Sequence, residues 1–575
     1  MIVEARAATT TQRVAAVRDL MRAEGLDAVI VRSTDRYLNE YVPLEESTRA
    51  WLTGFTGSMG DALVTRDAAW VVVDGRYYLQ GDQELAGTPF AVERVPLGTS
   101  IRAALFALVK KVVADGARRV AYEPDRFALK ELEELTQALQ ATGAALVPTQ
   151  PSLLERARGP IAAPERPVRG VDEAAVGLTV AEKVARAVEA LRQHDVQGFV
   201  VQHLDELAWV TNLRGDDFPY QATFRGIGVL TPAAVHVALD GARVPAEVLA
   251  ARGAALRLVD PADWTAALPA GRVGYDPDGV TADVVQAIRA RGATPVPVPS
   301  PVAALKAKKN PAELKAMRAA FARADAVVEA AQAYVHRRVD AGEPVTEADL
   351  AAEVERLFRA SGATGLSFKV IAAAGKNGAV IHYGTPDPER VIRAGELVLL
   401  DTGAYYAEGY ATDLTRTFLA GSHAEATAEQ RRYFTLVLKA AVAGMSARLP
   451  VGARGDQLDA ITRAPLWAAG LDFNHGTGHG VGINVHEFPP RVSPNGAVKL
   501  EEGHVFSIEP GVYLPDFGGV RIENLVTLAA APGAPGFLDV VPLTTSRLDE
   551  RLFDQALLTE AERAWLARYA AAREV

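Results

Sequence analysis

The chain contains no cysteine among its 575 residues. This absence excludes disulfides, cysteine-ligated zinc, iron–sulfur clusters and thiol nucleophiles. It is typical of proteins in a reducing compartment, and we predict a cytoplasmic location. Apolar runs long enough to span a membrane are also lacking. The N-terminal segment MIVEARAATTTQRVAAVRDL has no apolar centre, so we expect neither a membrane anchor nor a signal peptide.

An excess of positive charge is lacking as well. The 61 lysines and arginines are outnumbered by 71 acidic residues, which gives a net charge of −10. Such a chain has no overall electrostatic attraction for nucleic acid or anionic membranes, so we expect neither as a partner. The hydrophobic content of 49% is ordinary for a globular protein, and the length predicts several domains.

Two stretches rich in proline divide the chain. RARGPIAAPERPVRG covers residues 156–170, and ATPVPVPSPVAALKAKKNPAEL covers residues 293–314. Both lack periodicity, and we interpret them as linkers. They predict domains at residues 1–158, 171–303 and 304–575. In the first two, amphipathic helical segments alternate with short apolar strands, which is typical of α/β domains. In the third, Asn310 and Pro311 are expected to begin a long helix.

The first two predicted domains share a local pattern. WLTGFTG at residues 51–57 and WVTNLRG at residues 209–215 each follow a helix and an apolar strand, GLDAVIV and DVQGFVV. The copies are offset by 170 residues at the strands and by 158 at the tryptophans, so the first copy carries about twelve extra residues. We interpret this as a diverged internal duplication. The alternative is that two unrelated α/β domains share a common local pattern.

Histidine is scarce, with ten in the whole chain, yet three of them lie in HGTGHGVGINVHEFPP at residues 475–490. His475 and His479 have the spacing of a helical zinc pair, but the glycines between them make a helix poor, and no Glu follows His475. The prolines after His486 break a helix too. The glycine pattern is not the dinucleotide fingerprint. The cluster therefore indicates a functional site without showing which histidine binds a metal.

Four carboxylates occur in otherwise apolar, strand-like segments. Asp401 ends ELVLLD, Asp413 lies in GYATDLTRT, Glu509 in VFSIEPG and Glu523 in VRIEN. A lone buried carboxylate is costly, and four in one core require compensating positive charge, which two divalent cations would supply while one imidazole completes the set of ligands. Oxygen-rich ligation favours Mn²⁺ and leaves Zn²⁺ and Co²⁺ open. Taken singly, each could be structural, as a turn former or a surface pair such as Arg521 with Glu523.

These motifs resemble the M24 metallopeptidases, the pita-bread family that includes methionine aminopeptidase, prolidase and aminopeptidase P. In family order, the matching positions are Asp401, Asp413, His479 in GTGHGVG, Glu509 in SIEPG and Glu523 in RIEN. WLTGFTGSMG and LDELAWVTNLRGDDFPY are similar to the first two domains of the three-domain Xaa-Pro aminopeptidases. The resemblance implies two related creatinase-like α/β domains followed by an α+β pita-bread metallopeptidase domain.

The resemblance also implies roles for the metal site. The five matching residues would hold two divalent metal ions, with Mn²⁺ favoured. Asp413 and Glu523 would bridge the two ions. Glu509 would be both a ligand and a proton shuttle, and Arg521 would orient the ligands. The implied reaction is hydrolysis of an N-terminal Xaa-Pro bond by a hydroxide shared between the metals.

On the substrate side, the resemblance implies contacts from three histidines. They are His475, His486 and His382, the last in AVIHYG. His382 and His486 would act in catalysis, and Arg521 would lie close to the substrate. The expected substrates are peptides with proline at the second position, and a homodimer is implied. The alternatives are a prolidase that cuts only dipeptides and a non-catalytic binding module of the same fold.

Two departures from the family pattern stand out. The interval from Asp401 to Asp413 is one residue longer than usual, and we place the extra residue in the hairpin around YYAEGYA. It would form a bulge or, alternatively, shift the register and turn Asp413 away from the site. HEFPP also stands where the family more often has HEGP, which is expected to alter the rim of the pocket.

Overall fold

The computed structural model describes residues 2–573, which separate into two compact units. The first unit comprises the residues up to Gly170 together with Leu178–Pro219 and Thr223–Val302. The second comprises Val171–Gly177, Tyr220–Ala222 and the residues from Ala303 onward. Among the described residues, no helix is both long and apolar enough to cross a membrane.

The first unit begins with a six-stranded sheet in the order β4-β3-β2-β1-β5-β6. Its four central strands are mostly buried and rich in valine, which favours a sheet covered by helices. The strands are β1 Ala28–Val31, β2 Asp61–Thr65, β3 Ala69–Val73, β4 Ala91–Arg94, β5 Arg119–Tyr122 and β6 Ala145–Pro148. The helices are α1 Ile2–Ala23, α2 Thr48–Thr53, α3 Tyr78–Glu84, α4 Ile101–Ala114, α5 Leu129–Leu139 and α6 Leu153–Arg158.

The next part of the chain forms a second six-stranded sheet, in the order β12-β11-β10-β8-β13-β14, and a small pair of β7 with β9. The strands are β7 Arg169–Gly170, β8 Gly198–Val201, β9 Leu213–Arg214, β10 Gly228–Leu230, β11 Val235–Ala238, β12 Leu256–Val259, β13 Arg272–Tyr275 and β14 Thr294–Pro297. The helices are α7 Glu173–Val176, α8 Val180–Leu191, α9 Leu204–Thr211, α10 Ala246–Arg252, α11 Ala282–Ala290 and α12 Pro301–Ala307.

The two sheets have the same topology. In each, the starting strand (β1 or β8) pairs antiparallel with one neighbour and parallel with the other, and both edge strands pair in parallel. The segments after β5 and β13, YEPDRFA and YDPDGVT, are related by an offset of 153 residues. They meet through an antiparallel bridge between Ala128 and Thr281, which have this same offset. The predicted pair of related α/β domains is confirmed.

The linker predictions have different outcomes. Residues 159–168 form neither helix nor strand, as expected for a linker. The prediction of an extended linker at 293–314 is wrong, because β14, α12 and the start of the next helix occupy it. Pro295 and Pro297 are tolerated in β14 because it is an edge strand, so the backbone N–H groups on its outer side need no partner. The predicted domain limits at 158, 171, 303 and 304 stay predictions.

The second unit contains the long helices and the histidine stretch. Its helices are α13 Pro311–Asp340, α14 Glu347–Ala360, α15 Ala428–Met445, α16 Gly455–Ala468 and α17 Glu560–Ala571. Its strands are β15 Gly365–Leu366, β16 Ile371–Ala374, β17 Leu397–Thr402, β18 Ala404–Tyr405, β19 Leu414–Leu419, β20 Arg448–Pro450, β21 Gly478–Gly480, β22 Glu487–Val492, β23 Val505–Ile508, β24 Gly511–Leu514, β25 Gly518–Arg521, β26 Asn524–Ala530 and β27 Phe537–Pro542.

Two sheets with two cores build this unit. Helices α13 and α14 pack on the three-stranded sheet β16-β17-β19, and Val328, Leu350 and Phe418 lie in that core. Helices α15 and α16 pack on the six-stranded sheet β20-β27-β26-β23-β21-β22 through a second core. Helix α13 begins at Pro311 with Asn310 as its cap, as predicted, because the Asn310 side chain accepts from two backbone N–H groups.

A buried carboxyl lies at the end of β5 in the first unit. The Glu123 side chain is fully buried, and the Arg126 Nε lies 3.6 Å from one of its oxygens. Burial raises the pKa of this carboxyl to about 7. In the unfolded chain a glutamate has a pKa of about 4.3. Between these values the folded protein holds a proton that the unfolded chain has released, so stability falls as the pH rises through this window.

Glu123→Gln is expected to remove this loss of stability. The full shift corresponds to about 4 kcal/mol as an upper bound, so the variant should gain on the parent as the pH rises from about 5 to about 8. Urea unfolding of both proteins at the two pH values measures the gain. Glu134→Gln, at a partly exposed glutamate of α5, is the control and should show no such trend. An equal difference between Glu123→Gln and parent at both pH values would contradict the assignment.

Candidate active site

The two aspartates of the site are positioned by one antiparallel pair of strands. In the pairing of β17 with β19, Asp401 lies opposite Thr415, and Asp413 directly precedes β19. The bridge between Tyr405 and Ala411 continues the same register beyond the strand ends. Both carboxylates therefore lie on one face of the pair.

The extra residue of this hairpin lies in its loop. Because the register is the same on both sides of Asp413, neither of the two expected disturbances is present: the bulge and the register shift are both wrong. Residues 406–410 take up the added length, and the Gly409 N–H donates to the Tyr406 carbonyl within this turn. The longer loop leaves the strand pairing unchanged. The spacing of the two aspartates in the sequence does not show whether a strand or a loop contains the extra residue.

The two glutamates face each other across a second pair of strands. Ile508 of β23 pairs with Asn524 of β26, so Glu509 and Glu523 extend that register by one position. The Glu523 N–H donates to the Thr415 carbonyl at 3.2 Å and links this pair to β19. The ends of the two sheets thus lie side by side, which brings the four carboxylates together.

His479 enters the cluster from β21, between β22 and β23. Its Nδ1 lies 3.1 Å from the Gly480 carbonyl, which accepts the ring N–H and directs Nε2 at the carboxylates. Nε2 lies 3.5 Å from Asp413 Oδ2 and 3.4 Å from Glu509 Oε1. A Cβ on Gly478 would lie only 1.8 Å from the Ser507 carbonyl, so this close approach of two strands requires glycine.

The donor set fits a divalent metal centre. Asp413, His479 and Glu523 each present a ligand atom within 4.8 Å of the others. Burial, followed by repulsion from the neighbouring carboxylates, raises the pKa of Asp413 and of Glu523 well above the ordinary range, and burial raises the pKa of Glu509 to about 7. Asp401 Oδ1 is buried without a hydrogen-bond partner. Cations would relieve the repulsion and satisfy this oxygen.

Arg521 links two of the carboxylates through hydrogen bonds. Its fully buried guanidinium donates from Nη2 to Asp401 Oδ2 at 2.6 Å and from Nε to Thr415 Oγ1 at 3.1 Å. The Thr415 hydroxyl in turn donates to Glu523 Oε2 at 2.7 Å. Arg521 therefore supplies one positive charge to the cluster and fixes the orientation of two of its carboxylates.

Tyr513 is a site residue that the sequence did not reveal. Its hydroxyl accepts from Arg521 Nη1 at 2.9 Å and lies 2.9 Å from His475 Nε2. Burial raises the pKa of Tyr513 to about 12, so the neutral hydroxyl donates to the histidine. Ser507, which donates to Glu509 Oε1 at 3.1 Å, was missed as well. The only signal in the sequence is the alternation of inward and outward side chains along β23 and β24. It indicates a site residue only once the pairing of these strands is known.

The three histidines expected on the substrate side occupy different positions. His475 is buried, with Nδ1 2.7 Å from the Gly476 carbonyl and 3.9 Å from Glu509 Oε2. The His486 ring packs nearly perpendicular to the His479 ring, with centroids 4.2 Å apart. His382 is half-buried and follows Ile381, whose carbonyl accepts from Arg521 at 3.3 Å. Two of the three rings thus lie against Glu509 or His479, and the third follows a residue whose carbonyl accepts from Arg521.

Comparisons with known families agree with this architecture. Residues 315–530 match metallopeptidase family M24. Residues 13–159 and residues 159–313 each match a creatinase/prolidase N-terminal domain. The three matches follow one another along the chain and correspond to the two α/β sheets and the second unit.

Individual relatives cover nearly the whole chain. A probable Xaa-Pro aminopeptidase P from Coprinopsis cinerea is 33% identical over 97% of this chain and 94% of its own length. One from Ajellomyces dermatitidis is 32% identical with the same coverage. A crystal structure of the X-prolyl aminopeptidase from Caenorhabditis elegans, described as a cytosolic enzyme with a di-nuclear active site, superposes with a TM-score of 0.89 at 28% identity and covers 98% of this chain and 95% of its own.

A prolidase from Pyrococcus furiosus is also similar, at 25% identity and a TM-score of 0.52. The match includes 98% of the prolidase but only 62% of this chain. The similarity over the full length therefore lies with the longer enzymes. The chain has two creatinase-type domains, four converging carboxylates and these relatives over nearly its full length. It therefore belongs to metallopeptidase family M24, within the three-domain Xaa-Pro aminopeptidases.

Proposed function

We propose that this protein is a metal-dependent aminopeptidase that hydrolyses the bond between an N-terminal residue and a following proline. The observation that carries the proposal is the convergence of four largely buried carboxylates and the His479 imidazole at the adjoining ends of two sheets. The fungal relatives are named for this activity, and the nematode relative has a di-nuclear active site.

Five side chains are proposed to hold two divalent ions: Asp401, Asp413, His479, Glu509 and Glu523. Asp413 and Glu523 are proposed to bridge the ions. Hard oxygen donors favour Mn²⁺, with Zn²⁺ and Co²⁺ as alternatives. Such a pair of ions would polarise a peptide carbonyl and lower the pKa of water.

Glu509 is proposed to move the proton of the reaction. One of its oxygens is held by Ser507, and its side chain is 17% exposed, more than that of Asp401 or Asp413. Glu509 can therefore accept a proton from water and deliver it to the proline nitrogen as the amide bond breaks.

The histidines and Arg521 are proposed to act on the substrate side. His382 and His486 would donate to the peptide carbonyl oxygen as negative charge develops there. His475, linked to Tyr513 and close to Glu509, would line the same side. Arg521 would keep Asp401 and, through Thr415, Glu523 in place next to the substrate.

The proposed substrates are peptides with proline at the second position. An Xaa-Pro amide is tertiary and its nitrogen carries no N–H, so a dedicated site is chemically reasonable. A prolidase restricted to dipeptides is the main alternative. The coverage of 98% by the nematode aminopeptidase, against 62% by the prolidase, favours the aminopeptidase. A non-catalytic binding module is disfavoured because all five donor side chains are present.

A substrate panel tests the activity. Xaa-Pro-Xaa tripeptides and longer peptides should be cleaved after the first residue by Mn²⁺-loaded protein, and a chelator should abolish cleavage. Xaa-Pro dipeptides should be poorer substrates, and the products can be quantified by mass spectrometry. Cleavage of dipeptides alone would favour a prolidase. Metal-loaded protein that cleaves no Xaa-Pro peptide would refute the proposed function.

Asp413→Ala tests the ligand set and the hairpin together. Removal of a bridging carboxylate should lower both the bound metal, measured by elemental analysis, and the kcat, by at least about 100-fold. Asp456→Ala, at a half-buried aspartate of α16 whose side chain pairs with Arg454 away from the proposed ligands, is the matched control and should keep both. If metal content and cleavage both survive in Asp413→Ala, Asp413 does not face the metals.

The proposal extends to the cellular setting. The absence of cysteine and the description of the nematode relative as cytosolic support a cytoplasmic location. The net charge of −10 gives no reason to expect nucleic acid or membrane partners. A homodimer is proposed as well. Ile461 and Trp467, 39% and 50% exposed on α16, are the kind of apolar side chains that a subunit interface covers.

Trp467→Glu is expected to give a monomer. A charge at the centre of an apolar contact is desolvated without a partner, which should weaken association by several kcal/mol. Light scattering coupled to gel filtration gives the mass of each species. Leu97→Glu, at an exposed leucine outside α16, is the control and should leave the mass unchanged. A parent protein that is monomeric at micromolar concentration would refute the dimer.

A further inference from the structure

Two buried lysines lie beside the histidine stretch and pair with a buried glutamate within it, outside the carboxylate cluster. The side chains of Lys306, Lys309 and Glu487 are 1%, 2% and 0% exposed. Lys306 Nζ lies 3.1 Å from Glu487 Oε2, and Lys309 Nζ donates to Glu487 Oε1. We call these three residues the lysine–glutamate group. None of them has a part in the proposed metal site.

Stability alone does not account for the lysine–glutamate group. Withdrawing each charge from water costs several kcal/mol, and apolar residues of similar volume often serve a core equally well. Here the ammonium groups of Lys306 and Lys309 both lie against the Glu487 carboxylate. Such a group is expected where it fixes a particular local conformation.

The conformation that the group fixes is a turn of the histidine stretch. Glu487 Oε2 accepts from the Ile483 N–H at 2.9 Å, which closes the segment from Ile483 to Glu487 on itself. A Cβ on Gly482 would lie 2.1 Å from the same oxygen, so the turn is built around the carboxylate. On the other side, the Lys309 N–H donates to the Gly503 carbonyl at 2.9 Å, which anchors the lysine segment beside β23.

His486 lies inside this turn, directly before Glu487. Its ring packs on the ring of His479, with 4.2 Å between centroids and an angle of 77°. We propose that Lys306, Lys309 and Glu487 are positioning residues that hold His486 against His479 in the geometry needed for turnover. This inference rests on the proposed function, because it assigns His486 its place in that reaction.

The triple variant Lys306→Met, Lys309→Met and Glu487→Leu tests the inference. It replaces all three buried charged groups with apolar side chains of similar size, so none of the three is left without the other two, and the thermal midpoint should change little. The loss of the bond to Ile483 should loosen the turn. We expect kcat to fall by about 10-fold to 100-fold with KM within about twofold. Hydrogen exchange followed by mass spectrometry should be faster in residues 478–488.

Lys308→Met is the matched control. Lys308 is 47% exposed and pairs with Glu501, and its substitution should leave kcat and exchange as in the parent. A folded triple variant with the kcat and exchange of the parent would overturn the inference. If the triple variant does not fold, Lys309→Met alone is measured in the same way, and unchanged kcat and exchange in it would overturn the inference too.

The two measurements separate this inference from the proposed function. If the parent cleaves no Xaa-Pro peptide, the proposed function fails. Faster exchange around His486 in the variant would still support the role of the lysine–glutamate group in fixing the turn. If the parent is active and the variant exchanges as slowly as the parent, only the positioning role fails.

Discussion

Mutual repulsion among carboxylates is the constraint on which the catalytic unit depends. Asp401, Asp413, Glu509 and Glu523 meet where water is largely excluded, and burial raises the pKa of three of them. Such a cluster is unfavourable unless positive charge is placed against it. Arg521 supplies part of that charge from within the chain. The negative charge that Arg521 leaves uncompensated makes the site suited to divalent ions.

Rigid strand pairing sustains this arrangement. No carboxylate of the cluster lies on a long free loop, because each is within or next to a strand whose register is fixed. The sheets are covered on their other side by α13 to α16 through two apolar cores. Packing energy from these cores therefore opposes the separation that repulsion would otherwise produce.

Sequence reasoning found what depends on residue type and order. The four carboxylates were accessible because charged residues in apolar strands are unusual, whereas His479 as a ligand and the role of Arg521 came from the resemblance to the M24 family. Tyr513 was not, because its hydroxyl reaches Arg521 and His475 only after β24 and β25 pair. The expected bulge near Asp413 failed for a related reason: spacing counts residues but does not say whether a strand or a loop absorbs one. Proline content likewise suggested a linker where an edge strand and a helix form.

The bridge between Ala128 and Thr281 has a consequence for the first unit. Equivalent residues of the two related domains meet there: the Leu129 N–H donates to Val280 and the Ala282 N–H to Phe127, each the counterpart of the other. Such reciprocity is the signature of a twofold axis, as between identical subunits. The unit is thus arranged as a dimer fused into one polypeptide. Its two halves face each other at a fixed effective concentration that dilution cannot lower.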